Sequence, residues 1–257
     1  MTLLYSTDND HPVSRSQLAM IPTPAPRGPR HSPYPFGRYV EDVHDALDRV
    51  GVAVAGEEYA VTKDHNRMFG VLEIQPKALE GELITAADWK LLMGLRGSHD
   101  QRVSRGLVLG SQVLVCSNLC FSGNVADFNT KQTLNIGSRL PGLIRDAVMR
   151  IPQMAQRQEK IYDQYKNSEL KPRWGDAALV EMFRQDGLSS AQLGRAITEW
   201  HEPTFKEHAD YGWSVWRLLN SATQALKPTG ANFNADLMAQ RSQKVSNVCD
   251  MVARVTI

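Results

Sequence analysis

The sequence is poor in cysteine and has no long apolar run, and each lack excludes a class of protein. Only Cys116, Cys120 and Cys249 occur, an odd number without framework spacing. That excludes a disulfide-stapled secreted scaffold and makes a reducing compartment the expectation. The first residues, MTLLYSTDNDHP, carry no apolar stretch of signal-peptide length, and no later segment nears the ~20 apolar residues of a membrane span. A cytoplasmic location without a membrane partner is therefore expected. An excess of charge is missing too: Lys+Arg 29 against Asp+Glu 28 leaves a formal net charge of +1. Dedicated duplex-DNA binders are more basic, so any nucleic-acid role has to rest on a local patch.

Catalytic signatures are equally scarce. No G-x-S-x-G elbow, phosphate loop or dinucleotide fingerprint occurs. His201, Glu202 and His208 do not form a zinc-protease helix, because the motif needs a second His four residues after the first, where Phe205 stands, and Pro203 interrupts the helix.

What is present organises the chain into three parts. Residues 1–35 hold seven of the 13 prolines. Proline fixes φ and lacks a donor, so this part reads as an extended arm, either disordered or packed on a neighbouring subunit or a nucleic acid. Arg27, Arg30 and His31 make it locally basic. Residues 36–228 read as an α+β core, and 229–257 as a helical extension.

In the core, Tyr39, Val40, Val43, Leu47 and Val50 recur at helical steps and Gly51 is a natural stop. Short runs rich in Val, Ile, Leu and aromatics follow at 59–62, 68–74, 89–96, 107–109, 113–116 and 121–128, separated by the turn-like KDHN, EGE, GSHD, GS and SGN. Such spacing predicts an antiparallel β-meander and not βαβ units. After Gly137 the pattern turns helical: Leu140, Leu143, Ile144, Ala147, Val148, Ile151, Met154 and Ala155 form one stripe. Pro141 suits the first turn, whereas Pro152 should kink or break the helix. Further helices are expected over 176–184, over 189–200 with a Ser189/Gln192 capping box, over 209–226 and over 234–255. The predicted fold is α+β, an antiparallel β-meander flanked by an N-terminal helix and a mostly helical C-terminal half.

The stretch GLRGSHDQRVSRGLVLGSQVLVCSNLCFSG, residues 94–123, gathers most of the reactive side chains. His99 and Asp100 with Cys116 and Cys120 are the only donors here resembling a metal set, but no second Cys or His pair stands at finger spacing. Ser98, His99 and Asp100 are contiguous, and neighbours on an extended backbone point to opposite faces, which argues against a triad. Ser98 and Asp100 are expected instead to accept backbone N–H groups in a turn. Trp200, Trp213, Trp216 and Tyr211 read as core packing. No catalytic residue, metal or cofactor is therefore assigned. An enzyme built on His99 and Asp100 with Cys116 or Asn118 is a lesser alternative. The cations expected to be exposed and available to phosphates are Arg27 and Arg30 in the arm, Arg96, Arg102, Arg105, Lys131 and Arg139 on the sheet and its edges, and Arg145, Arg150, Arg157 and Lys160 on a basic helix face.

GLRGSHD at 94–100, QVLVCSNLCFSG at 112–123 and WRLLNSATQALK at 216–227 together resemble the DUF932 family of phage/plasmid-like proteins, over roughly residues 34–227. Gly97 departs from it, standing where the family pattern has Asn, so no role for a side chain at that position is implied. The resemblance implies a mobile-element context, with the host cytoplasm as the location if the chain is phage-encoded. It carries over no catalytic residue. The order helix, meander, long helix is similar to the core of Rad52- and Redβ-type single-strand annealing proteins, an analogy of fold order alone. The resulting expectation is a non-enzymatic homo-oligomer that binds single-stranded nucleic acid in annealing or recombination. The alternative is a mobile-element protein that binds and inhibits or redirects a host defence protein.

Overall fold

The computed structural model describes residues 10–76, 89–113, 118–120, 128–227 and 235–255. Strands β1 (Asp10–Val13), β2 (Ala53–Thr62), β3 (Arg67–Gln75), β4 (Trp89–Ser98), β5 (Arg105–Val113) and β6 (Asn118–Cys120) lie side by side in chain order, and β7 (Phe128–Thr130) also pairs with β5. The pairings in register are antiparallel, so the α+β meander predicted from the turn spacing is the observed sheet. Along β3, buried Met68, Gly70, Leu72 and Ile74 alternate with half-buried residues, the period expected of a strand covered on one face.

Local details depart from expectation for physical reasons. Residues 10–20 are not a free extended arm. β1 pairs with β2 from Asp10↔Thr62 to Val13↔Tyr59, and α1 (Arg15–Ala19) follows, opened by a Ser14/Gln17 capping box and burying Leu18. β1 is the edge strand, where the missing N–H of Pro12 breaks no ladder. β2 begins at Ala53, six residues before the expected start at Tyr59. Ala53–Glu58 has weak strand propensity and is held by pairing with β3 across an irregularity between Val54 and Gly56. The expected strands over 113–116 and 121–128 lie largely outside the described residues.

The chain divides into two compact units. The first comprises Met1–Thr85, Leu91–Leu109 and Asn124–Ala155. Within it, α2 (Phe36–Arg49) packs on α1, on β2 and on α3 (Ile136–Val148). Phe36, Tyr39, Val40, Val43 and Leu47 of α2 form its buried stripe. Pro141 lies inside α3, in its second turn and not its first, because the helix already starts at Ile136. The helix then breaks at Met149 and Arg150, and Pro152 sits in the first turn of α4 (Ile151–Asn167), where its missing N–H costs little.

The second unit comprises Ala86–Lys90, Gly110–Gly123 and Gln156–Ile257. Its centre is α7 (Val215–Leu226), buried at every position except Gln224. Its polar residues are buried with their side chains turned onto the helix itself, Asn220, Ser221 and Thr223 donating to the Trp216, Arg217 and Leu219 carbonyls at 2.9, 2.8 and 2.8 Å. α5 (Pro172–Arg184), α6 (Ser190–His201) and α8 (Ala235–Val255) pack around it. The expected helix over 209–226 begins only at Val215, because the Ser214 hydroxyl accepts the Arg217 N–H and caps it there. Trp200 and Trp216 are fully buried, with Trp200 edge-on to Trp213 at 4.9 Å between ring centres.

Candidate anion-binding cleft

Three segments of the first unit converge on one cleft. Residues 27–31 form a turn in which the His31 N–H donates to the Gly28 carbonyl at 3.1 Å and the Arg27 N–H donates to His31 Nδ1 at 3.0 Å. This turn is pinned to the stretch after β7. His31 bridges Thr133, the Ser32 N–H reaches the Gln132 carbonyl at 3.1 Å, and the Tyr34 N–H reaches Gln132 Oε1 at 2.7 Å. The Gln132 amide in turn donates to the Ser98 carbonyl, which ties in the β4–β5 turn.

That turn is built as the sequence predicts. Ser98 Oγ accepts the Val103 N–H at 3.0 Å and Asp100 Oδ1 accepts the Arg102 N–H at 3.0 Å. Between them Gln101 takes φ 65°, a left-handed conformation that costs a side chain about 1 kcal/mol.

The cleft has a volume of about 510 Å³, within the range of small-molecule sites, about 300–1,000 Å³. Its exposed rim carries Arg27, Arg30 and Lys131, and no carboxylate belongs to its described lining. Asp100, next in sequence to the lining residue Gln101, is occupied by Arg67 at 3.4 Å and Arg102 at 3.6 Å. At the floor His31 is 4% exposed. Burial, and then the Arg27 charge, push its pKa below the usual value, so the ring is neutral at neutral pH. Because Nδ1 accepts the Arg27 N–H, the neutral ring carries its proton on Nε2. That buried donor has no partner among the described residues.

Close in sequence to this floor lies a second group of buried polar side chains, and here one expectation is corrected. Arg105, expected on the exposed sheet surface, is 0% exposed. Its guanidinium lies over the rings of Tyr34, Phe36 and Tyr39 at 5.8, 5.4 and 4.8 Å, and Nη2 donates to the Tyr34 carbonyl at 2.7 Å. Gly97 makes the room, since a Cβ there would sit 3.2 Å from Arg105 Cζ. Burial lowers the Arg105 pKa to about 10. No phosphate in solvent reaches this side chain, so it leaves the set of available cations.

His99 is likewise internal, stacked on Phe36 at 3.9 Å. Burial, then the charges of Arg105 and His31, lower its pKa to about 4. Neither ring nitrogen of His99 has a hydrogen bond among the described residues. Ser98 is engaged with Val103 and Asp100 with Arg67 and Arg102, so Ser98, His99 and Asp100 do not converge as a triad.

The other expected cations are distributed. Arg96 is half-buried and donates to Asn129 Oδ1 at 3.1 Å. Arg102 is exposed but ion-paired. Arg139, Arg145 and Arg150 are exposed in the first unit, and Arg157 and Lys160 are exposed in the second. Of the eleven residues expected, the cleft brings together Arg27, Arg30 and Lys131. His31 was read only as part of a basic arm. Its place at the floor follows from pairing with Thr133, about a hundred residues away, for which no local pattern exists.

Among the described residues no group of three or more His, Cys, Asp or Glu side chains is placed to hold a metal ion. Cys116 lies outside the described residues. No helix among the described residues is long and apolar enough to cross a membrane. Comparison with family models, with curated proteins and with solved structures returned no match to this chain.

Proposed function

We propose that the protein binds single-stranded nucleic acid through this cleft, holding the phosphate backbone by charge and performing no chemistry on it. The observation that carries the reading is the convergence of Arg27, Arg30 and Lys131 around a cleft whose described lining has no carboxylate. Paired acids would cancel such a field; here it persists, and polyanions are attracted by counterion release. No Phe, Tyr or Trp belongs to the described lining. Recognition is therefore of backbone and not of stacked bases, and tolerant of sequence. The reading includes self-association, the DUF932-type mobile-element context and a cytoplasmic location.

The test is fluorescence anisotropy with labelled oligo-dT of about 30 nucleotides, alongside light scattering with and without the strand. Three phosphate contacts predict that affinity falls by roughly one order of magnitude between about 50 and about 200 mM salt. The double variant R27E/K131E should lose binding while staying folded, because both side chains are exposed. Absence of binding by the unaltered protein at low salt, or unchanged binding by the double variant, overturns the reading. A strictly monomeric protein with strand bound removes the self-association part.

A further inference from the structure

Between α1 and α2 the chain crosses the first unit as a strap. Residues 22–30 are exposed, and within 22–35 only His31 and Tyr34 are buried. Pro22, Pro24, Pro26, Pro29, Pro33 and Pro35 supply no N–H to a ladder, and the described residues give the strap one isolated bridge, His31 to Thr133, in its place. Single bonds do the rest. The Ser32 N–H reaches the Gln132 carbonyl at 3.1 Å, the Tyr34 N–H reaches Gln132 Oε1 at 2.7 Å, and the Tyr34 carbonyl accepts Arg105 Nη2 at 2.7 Å. A segment fastened in this way opens locally at less cost than a sheet.

The two buried anchors differ in kind. Tyr34 donates from its hydroxyl to Asp42 at 2.5 Å, and its pKa is pushed up to about 12, chiefly by burial, so the phenol keeps its proton. His31 depends on one placement of a proton. Its Nδ1 accepts the backbone N–H of Arg27 at 3.0 Å and has to be bare to do so, which leaves the ring's proton on Nε2. A second proton, taken from solvent, can go only to Nδ1. It turns that acceptor into a donor facing another donor, so the bond within the 27–31 turn is lost, and it places a charge on a ring that is 4% exposed.

The groups around the ring do not offset such a charge. Its own turn carries Arg27 and Arg30, the 131–133 stretch carries Lys131, and the end of β4 brings His99, itself beside Arg105. Of the acids, Asp42 is taken by Tyr34 and Arg38, and Asp100 by Arg67 and Arg102. Burial and then the Arg27 charge accordingly hold the His31 pKa below its ordinary 6.5. The strapped chain thus binds fewer protons at His31 than the released chain, and this part of the strap's stability is full above about pH 6.5 and lost as pH falls.

We propose that His31 is a proton-operated latch. Neutral, it fastens residues 27–35 to the 131–133 stretch; protonated on Nδ1, it releases that strap, and the cleft with it, without unfolding of the sheet. The latch does not depend on strand binding, because it moves the chain itself.

The experiment is amide hydrogen exchange on the full chain at about pH 7.5 and about pH 5, corrected for intrinsic exchange, with the strap amides of Arg27, His31, Ser32 and Tyr34 compared with those of β3. At both pH values the strap should be at least about tenfold less protected than β3, the mark of local opening. Between them its protection should fall by about fivefold or more. H31N offers Oδ1 to the Arg27 N–H and cannot titrate, so the fall in the strap should disappear. H99F keeps the stack on Phe36 and should retain a fall, which separates His31 from its titrating neighbour. If H31N does not fold, imidazole NMR of the unaltered protein carries the test: His31 should hold its proton on Nε2 at about pH 7.5, and its titration should share a midpoint with strap release.

Strap protection that is unchanged at about pH 5, or equal to that of β3 at both pH values, overturns the latch. An undiminished fall in H31N, a fall abolished in H99F, a proton on Nδ1 at about pH 7.5, or a His31 midpoint apart from that of release overturns it as well.

Discussion

The Arg105 guanidinium lies 4.8 Å from the centre of the Tyr39 ring in a fully buried position, and no carboxylate among the described residues pairs with it. Three aromatic faces and one carbonyl stand in for the missing acid, while Nε and Nη1 have no hydrogen-bond acceptor among the described residues. A desolvated cation over a well-placed aromatic face gains about 2 kcal/mol or more. Arg105 is therefore a structural residue of the first unit, held between α2 and the sheet.

Replacing Arg105 separates this structural role from binding. R105A should destabilise the protein by about 3 kcal/mol through lost packing and ring contacts. R105K should also destabilise, because an ammonium cannot lie flat across the rings. R105M, apolar and of similar length, should stay within about 1 kcal/mol of the parent and bind single strands within about twofold of it. Urea melts and anisotropy measure both; a tenfold loss of strand affinity in folded R105M would return Arg105 to the binding set.

Gly97 tests the same pocket from the other side. An added Cβ would lie 3.2 Å from Arg105 Cζ and 3.3 Å from Nη1, so the enclosed guanidinium would have to give by a few tenths of an ångström. G97A should cost about 1–2 kcal/mol. The cost should shrink in the G97A/R105M double variant, and a double-mutant cycle in urea reads that coupling.

Acid should weaken the fold through His99. Its pKa falls to about 4 in the folded state from an ordinary 6.5, so the folded chain keeps this ring neutral while the unfolded chain protonates it. The unfolded state binds more protons between these values. The stabilising contribution is thus full above about pH 6.5 and is lost as pH falls toward about 4, by at most about 1.4 kcal/mol per unit. His31, His44 and His208 shift in the same direction, chiefly through burial. H99F keeps the stack on Phe36 and removes the titration, so urea midpoints between about pH 6.5 and pH 4.5 should decline less steeply than in the parent. An identical decline would show that His99 does not titrate as described.

Lys131 should contribute about one phosphate contact. K131A is expected to reduce the slope of log affinity against log salt by about 0.7 for single strands, with a uniform loss across sequences. A sequence-dependent loss would mean that Lys131 reads bases.

In the second unit, Gly175 of α5 lies under the Trp200 indole, where an added Cβ would come within 2.2 Å of the ring. G175A should destabilise by about 3 kcal/mol, because Trp200 is fully buried and also donates from Nε1 to the Pro172 carbonyl at 3.0 Å. Thermal melts with Trp fluorescence report the loss.

Much of the local structure was legible in the residues. The Ser189/Gln192 capping box opens α6, Pro152 marks the break between α3 and α4, and Ser98 and Asp100 hold turn N–H groups. Each is encoded within a few residues, by a hydroxyl, a missing donor or a carboxylate acting on its own neighbourhood. The strand at 53–58 was not legible, because Ala, Gly and Glu prefer no strand and only pairing with β3 holds them there.

The α+β class, the meander and the helical second half were determined by periodicity and turn chemistry, which act over a few residues at a time. Whether a cation meets water was decided only by the tertiary structure. Arg102 and Arg105 stand three apart in one turn-to-strand passage, yet one is exposed and the other is enclosed by three rings from residues 34–39. The cleft likewise exists only once residues 27–31, 101–104 and 131–133 are folded together. Burial and field depend on what distant chain segments bring alongside a residue, and no short-range pattern records that.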